Sequence, residues 1–162
     1  MKKQRKKYEK PLRPWDKERI EKEKEILKKF GLRRKREIWK AEALLRKFRR
    51  MARKLSADKD EKKEKELTGK MVRIGLLNEG ATLDDVLGLT LENIFERRLQ
   101  TILLKKGFVN TPKQARQFIV HGKVKINNKK IIHPSYLVSK DEEGKIQMSI
   151  EIQKPKVTAS EG

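Results

Sequence analysis

The chain has 162 residues and a formal net charge of +21, with 41% charged and only 35% apolar residues. Globular domains usually carry about 25% charged and 45–50% apolar residues, so the core must be small and part of the chain is expected to order on a partner. The charge predicts a polyanionic partner. No stretch approaches the roughly 18 apolar residues of a membrane span, and the absence of cysteine excludes disulfides and thiolate metal sites.

The N-terminal half is predicted to be basic and helical. Residues 1–14 contain two prolines and are expected to form an extended arm, followed by a helical domain at residues 15–90. Asp16 can cap a first helix, and a second carries apolar residues at steps of three and four over residues 38–55. Residues 57–66 are expected to be a solvated helix or a flexible link. The cations beside the second helix give a secondary candidate RNA surface: Lys35, Arg36, Arg46, Arg49, Arg50 and Arg53.

Residues 91–150 predict a compact module of two helices packed on a short β-sheet, which makes the fold class α+β. One amphipathic helix is expected from Leu91 to just before Gly107, and a capping box at residues 111–114 opens the second. Asn127 and Asn128 are expected to turn a hairpin. Further short strands are predicted at residues 136–139 and 146–150, with a loop at 141–145 between them. Residues 151–162 are expected to be a tail.

Basic and amide side chains dominate this module outside its apolar stripes. They suit phosphate, sugar hydroxyls and base edges, and the N–H groups at the start of the second helix are expected to seat a phosphate. The candidate RNA-binding residues are Arg97, Arg98, Gln100, Thr101, Lys105, Lys106, Thr111, Lys113, Gln114, Arg116, Gln117, His121, Lys123, Lys125, Asn127 and Lys129.

Other functions fit the sequence less well. Two helices and a basic hairpin could form a winged helix-turn-helix on DNA, but the residues ahead of them add a second basic surface instead of a dimerisation domain. A membrane surface would need apolar stripes that the helices require for packing. His121 and His133 have no companions at metal-ligand spacing, and no phosphate-binding loop or catalytic motif is present. Trp15 and Trp39 are interpreted as core anchors or stacking plates, and core is favoured.

Several motifs resemble a known family. LENIFERRLQT at residues 91–101, TPKQARQ at 111–117 and HGKVKIN at 121–127 closely resemble the S-four RNA-binding module, with its alpha-L motif. Upstream, YEKP at 8–11, PWD at 14–16, GL at 31–32, KREIW at 35–39 and DVLGL at 85–89 resemble the archaeal and eukaryotic type of the S-four family of small-subunit ribosomal proteins. The likeness extends from the arm to about Val138.

The resemblance implies a cytoplasmic protein of the ribosome that is not an enzyme and needs no cofactor or metal. It implies binding to the 5′ domain of small-subunit rRNA, a role in assembly, and neighbouring ribosomal proteins as partners. It also implies that the protein lies near the site where mRNA enters the subunit and that it does not form a homo-oligomer. The module also occurs in RNA-modifying enzymes and tRNA synthetases, but the 95 residues ahead of it are too few and too poor in core for their catalytic domains. Some bacterial relatives hold zinc through N-terminal cysteines, which this chain lacks.

Overall fold

The computed structural model describes residues 6–149, and the start of the predicted arm and the predicted tail lie outside this range. The described residues confirm the expected α+β class, with helices followed by a small sheet. The helices are α1 (Lys17–Lys29), α2 (Lys35–Asp58), α3 (Glu61–Ile74), α4 (Leu83–Gly88), α5 (Leu91–Glu96), α6 (Leu99–Lys105), α7 (Pro112–Val120) and α8 (Lys140–Glu143), and the strands are β1 (Val124–Ile126), β2 (Lys129–Lys130) and β3 (Ile146–Met148). Among the described residues, no helix is long and apolar enough to cross a membrane.

The first core is built around α2. The residues at its predicted apolar positions pack inward, with Ile38 and Ala52 fully buried, while Leu55 is only partly covered. Helices α1, α3, α4 and α5 close over this face and add side chains such as Phe30 and Phe95, whose rings lie 5.1 Å apart. The helical prediction for this half is therefore confirmed.

Residues 57–66 contain a sharp break between two helices. Helix α2 ends at Asp58, Lys59 takes a left-handed conformation with φ 50°, and α3 begins at Glu61. Asp60 caps α3, because its carboxylate accepts from the Lys63 N–H at 3.3 Å. The expected solvated helix is thus present, interrupted by a two-residue turn.

The second core lies between α6, α7 and the sheet. Leu99, Leu103, Ile119 and Val124 are completely buried in it. The sheet is antiparallel with the order β2–β1–β3. Asn127 and Asn128 have φ values of 50° and 64°, which is the conformation of a two-residue hairpin turn, so the predicted hairpin is confirmed.

The end of the module differs from the prediction. A strand forms at Ile146–Met148 as expected, but residues 136–139 contribute only one bridge, between Leu137 and Arg98. The predicted loop at 141–145 contains the short helix α8. Its Glu142 carboxylate accepts from the Ser139 N–H at 3.1 Å and caps the helix.

The single helix predicted from Leu91 onward is wrong, because the chain leaves the helix at Arg97 and Arg98. Arg98 is extended, with φ −74° and ψ 141°. The Leu99 N–H donates to the Tyr136 carbonyl at 2.8 Å, and the Val138 N–H donates to the Arg97 carbonyl at 3.0 Å. The crossing segment at 136–138 thus takes the backbone bonds that would have continued the helix.

At this break the chain passes from the first core to the second. Phe95 belongs to the first core and Leu99 to the second. The boundary predicted at residues 90 and 91 stays a prediction, since the packing shows where the cores change over and not where an independent domain begins.

Candidate nucleic-acid interface

The predicted RNA-binding residues differ in exposure. The exposed ones are Lys105, Lys106, Thr111, Lys113, Gln117, His121, Lys123, Asn127 and Lys129. Arg97, Thr101, Gln114, Arg116 and Lys125 are half-buried, and Arg98 and Gln100 are buried. The module therefore offers an outer surface of cations and amides above a second, internal polar set.

Helix α7 supplies the first part of the outer surface. Its inner face is fixed by the buried Ala115 and Ile119, which leaves Lys113 and Gln117, four positions apart, exposed on the outside. These two side chains form a short polar ridge that needs no rearrangement to meet an RNA backbone.

The start of α7 is tightly capped. Thr111 Oγ1 accepts from the Gln114 N–H at 3.2 Å, and Gln114 Oε1 accepts from the Asn110 N–H at 3.1 Å. This is the predicted capping box, except that the glutamine reaches the residue before the cap. The Ala115 N–H is bonded to the Thr111 carbonyl, and Pro112 has no N–H. Few N–H groups are left for the expected phosphate seat, and the exposed Lys113 ammonium is the cationic group at this end of the helix.

The hairpin places like charges opposite each other. Lys125 on β1 is the direct partner of Lys130 on β2, so both side chains stand on the same face of the sheet. The neighbouring Val124 and Ile126 are buried on the other face. Two ammonium groups directly across an antiparallel pair repel each other. An anion such as a phosphate placed between the two ammonium groups would reduce this repulsion.

Glu37 joins the helical half to the module through two arginines. Arg98 Nη2 donates to Glu37 Oε2 at 2.8 Å, and Arg116 donates to both oxygens at 3.0 and 3.2 Å. Burial alone raises the pKa of the Glu37 carboxyl, but the bonds from Arg116 and Arg98 outweigh it, and the pKa lies below its ordinary value. Glu37 is therefore a carboxylate at neutral pH, held between two guanidinium groups.

Arg98 and Gln100, predicted as RNA contacts, are placed in the interior. Arg98 is 5% exposed, and its Nη1 has no hydrogen-bond partner among residues 6–149. Gln100 is 1% exposed, and its Nε2 lies within bonding distance of the carbonyls of Phe30, Gly31 and Pro112, at 2.9 to 3.1 Å. Both side chains hold the two halves together and present no group to RNA in this structure.

Arg97 and Thr101 are also engaged within the protein. Arg97 Nε donates to the Ile74 carbonyl at 2.8 Å, and its two other nitrogens bond the Glu143 carboxylate at 2.8 Å and the Val138 carbonyl at 3.0 Å. The Thr101 hydroxyl donates to the Phe95 carbonyl at 2.7 Å. The Arg97 guanidinium thus ties the end of α3 to the last third of the module.

Lys105 at the end of α6 and Lys106 just after it lie beside acidic or carbonyl groups yet stay open to solvent. Lys105 pairs with Glu96 at 3.0 Å, with both side chains about half exposed, and Lys106 contacts the Glu143 carbonyl. Ion pairs this exposed are weak, so a phosphate can replace the Glu96 carboxylate as the partner of Lys105.

The secondary surface on α2 is partly structural. Arg36, Arg46, Arg50 and Arg53 are exposed, whereas Arg49 is half-buried and donates to the Leu89 carbonyl at 2.6 Å. Lys35 lies 2.9 Å from the Glu23 carboxylate, and Arg46 lies 3.4 Å from Glu9 of the arm. A groove of about 720 Å³ between the arm and α2 has cations from both sides: Lys6, Lys7, Arg46, Lys47, Arg49, Arg50 and Arg53.

A cleft of about 580 Å³ separates α2 from the module. Its cationic lining residues are Lys7, Lys40, Arg98 and Arg116, and Glu37 is the one acidic residue among its lining in the described part of the chain. Lys7 and Lys40 were not among the predicted site residues, because only the fold brings the arm and α2 beside the module. Lys7 lines both this cleft and the groove along α2, so the two openings share a cation.

The two tryptophans have different environments. Trp39 packs against the first core, and its indole N–H donates to Glu23 at 3.0 Å, which confirms the prediction that it is a core residue. Trp15 is 89% exposed, so a core role for it is wrong.

Comparison with known proteins identifies the module. The family model described as "S4 domain" matches residues 97–143. Over 143 residues the chain is 57% identical to "Small ribosomal subunit protein uS4" of Methanococcus aeolicus, which covers 86% of this chain and 81% of that protein. Proteins of the same name from Saccharolobus islandicus and Nanoarchaeum equitans are 52% and 51% identical, covering 90% and 89% of this chain and 82% and 83% of theirs.

Fold, basic surface and matched segment together define an S4-domain protein with a basic helical region ahead of the domain. The identity and coverage go further: the chain belongs to the family of small ribosomal subunit protein uS4. This confirms the resemblance of its motifs to the S-four family. A member of this family is a ribosomal protein and not an enzyme.

Proposed function

We propose that this protein is a structural constituent of the small ribosomal subunit that binds the 5′ domain of small-subunit rRNA and assists assembly of the subunit. The observation that carries the proposal is the lysine pair Lys125 and Lys130, held opposite each other on the sheet of an S4 domain. A free protein gains nothing from this repulsion, whereas an RNA backbone neutralises it. The names of the relatives support the ribosomal setting.

The contact surface that we propose consists of the predicted residues that reach the surface, with Lys130 added. It comprises the outer face of α7, the hairpin, and Lys105 and Lys106 at the end of α6, with the half-buried Gln114, Arg116 and Lys125 included: Lys105, Lys106, Thr111, Lys113, Gln114, Arg116, Gln117, His121, Lys123, Lys125, Asn127, Lys129 and Lys130. The cations of α2 and the arm give a second grip across the cleft. Phosphate contacts from two sides suit a folded RNA, which proteins recognise by shape and backbone.

The partners follow from this setting. Neighbouring ribosomal proteins and mRNA where it enters the subunit are the further partners we propose, with the protein present in one copy on the ribosome. Co-sedimentation with small subunits followed by crosslink mapping tests these contacts, and crosslinks confined to regions away from the 5′ domain would contradict the proposal.

RNA specificity is tested by binding across a salt series. The ligands are a folded transcript of the 5′ domain and a DNA duplex of similar length. Six to ten phosphate contacts predict that log affinity for the transcript falls by several units per log unit of salt. Lys113→Ala should weaken binding, and Lys63→Ala is the matched control, since Lys63 is exposed on α3 and pairs with Asp60. Equal affinity for RNA and DNA at near-physiological salt would contradict the RNA-specific function.

A further inference from the structure

Trp15 is the exposed aromatic residue of a segment that is otherwise anchored. It is 89% exposed and lies between Tyr8 and helix α1. Tyr8 packs against Trp39 with ring centroids 5.9 Å apart, which fixes one end of the segment on the first core. A single exposed apolar side chain is common in proteins, so the exposure of Trp15 gains meaning only from the way the segment holds it and from the charges of that segment.

A set of hydrogen bonds holds the turn that displays Trp15. Arg19 Nη2 donates to the carbonyls of Arg13 at 2.7 Å and Pro14 at 3.0 Å. The Arg19 N–H also donates to the Asp16 carboxylate at 3.3 Å, which caps α1. Arg19 therefore bonds the backbone before Trp15 and the side chain of Asp16 after it. A ring presented in this way loses little conformational freedom on binding.

The charge around the ring favours a nucleic acid over a protein partner. The described segment from residue 6 to residue 19 contains more cations than acids: Lys6, Lys7, Lys10, Arg13, Lys17 and Arg19 against Glu9, Asp16 and Glu18. The core of a protein–protein interface is depleted of charged residues. An aromatic plate among cations is instead the arrangement that binds a base by stacking and its phosphates by charge.

We propose that Trp15 is a stacking plate for an unpaired nucleobase of the RNA that this protein binds. The inference rests on the proposed function and adds a site outside the S4 domain. Stacking tolerates any base, because every base has a π-face, so the ligand is defined as an unpaired nucleotide and not as a sequence.

The full-length protein and the 5′-domain transcript provide the test. Trp15→Ala should lower the affinity about tenfold or more, and Trp15→Phe, which keeps a ring, should retain most of it. Leu12→Ala is the matched control, since Leu12 is fully exposed in the same segment and has no π-face. The emission of Trp15, taken as the difference between the unaltered protein and Trp15→Phe, should be quenched on RNA binding.

The outcomes separate this inference from the proposed function. If Trp15→Ala binds the transcript as tightly as Leu12→Ala and the Trp15 emission stays unquenched, stacking is overturned while RNA binding stands. Quenching that appears only in assembled subunits, with no loss of affinity for the transcript, places the partner of Trp15 outside the 5′ domain and overturns stacking on the transcript. If the unaltered protein binds no transcript, both fail.

Discussion

Glu37 and Arg98 lie 61 positions apart in the chain, yet Arg98 Nη2 donates to Glu37 Oε2 across 2.8 Å. Arg116 reaches the same carboxylate from α7, so one acidic side chain on α2 bonds two elements of the S4 domain. Buried arginine stays charged, and the carboxylate is what compensates it. This acid therefore helps to set the relative placement of the two basic surfaces, together with the bonds of Gln100 and Arg97 between the halves.

Replacing Glu37 should destabilise the fold. Glu37→Gln keeps the shape of the side chain but leaves Arg98 buried without a counter-charge. Removing one member of a buried pair costs about 3–5 kcal/mol, and since Glu37 keeps 17% side-chain exposure we expect about 2–3 kcal/mol. Urea unfolding measures the loss. Glu96→Gln, whose partner Lys105 is 56% exposed, is the control and should cost less than about 1 kcal/mol. Equal losses in the two variants would show that the Glu37 contacts stabilise little.

Acid should remove the same stabilisation. The pKa of Glu37 is lowered in the folded protein, so its contribution is fully present above the ordinary value of 4.5 and is lost as the pH falls through the folded pKa. Urea midpoints measured from pH 7 to pH 3 should fall more steeply for the unaltered protein than for Glu37→Gln. The difference between the two curves isolates Glu37 from other carboxyls with lowered pKa values, such as Glu23. Parallel curves would contradict the lowered pKa.

Gly75 should tolerate no side chain, because it lies under Arg97. Its φ is 82°, and a Cβ atom would lie 2.8 Å from Arg97 Cζ, which is itself fixed by three hydrogen bonds. Gly80 has nearly the same φ, 81°, but open space around it. Gly80→Ala should cost about 1 kcal/mol from backbone strain alone, and Gly75→Ala about 2–4 kcal/mol. Thermal unfolding compares them, and equal losses would mean that Arg97 moves aside freely.

The lysine pair on the hairpin should affect binding and stability in opposite ways. Lys125→Ala with Lys130→Ala removes the repulsion across the strands, so the free protein should be unchanged or more stable by up to about 1 kcal/mol. Binding to the 5′-domain transcript should weaken, and the salt slope should fall by about two, one for each lost phosphate contact. Lys24→Ala, exposed on α1, serves as the control. An unchanged slope would exclude this face from the RNA contact.

Local patterns were sufficient to predict much of the fold. The apolar seam of α2, the cap at Thr111 and the turn at Asn127 and Asn128 each follow from residues that are neighbours in the sequence. The interior position of Gln100 could not be predicted in this way. Its acceptors are the carbonyl of Phe30, which is distant in the sequence, and the carbonyl of Pro112, which lies beyond a turn. An amide that was predicted to contact RNA at the surface is therefore hydrogen-bonded inside the protein.

The helix break also depends on contacts between residues that are distant in the sequence. The spacing of apolar residues after Leu91 continues through Leu103 without an interrupting glycine or proline, and sequence periodicity alone predicts one helix. The break depends on residues 136–138, which bond the backbone at residues 97–99 from the far side of the module. Arg97 and Arg98 were predicted as RNA contacts from their charge, but tertiary contacts decide which way each guanidinium points, and both are bonded within the protein.

The change of core between Phe95 and Leu99 sets an order of events during synthesis. Every buried residue of the first core has been translated once Phe95 has left the ribosome, so this half can begin to pack while the module is still incomplete. The bonds of Arg97 to Val138 and Glu143 cannot form until some forty more residues have emerged. The newly made chain thus passes through a stage in which the helical half can pack before Leu137 covers it and before Arg97 finds its partners in the module.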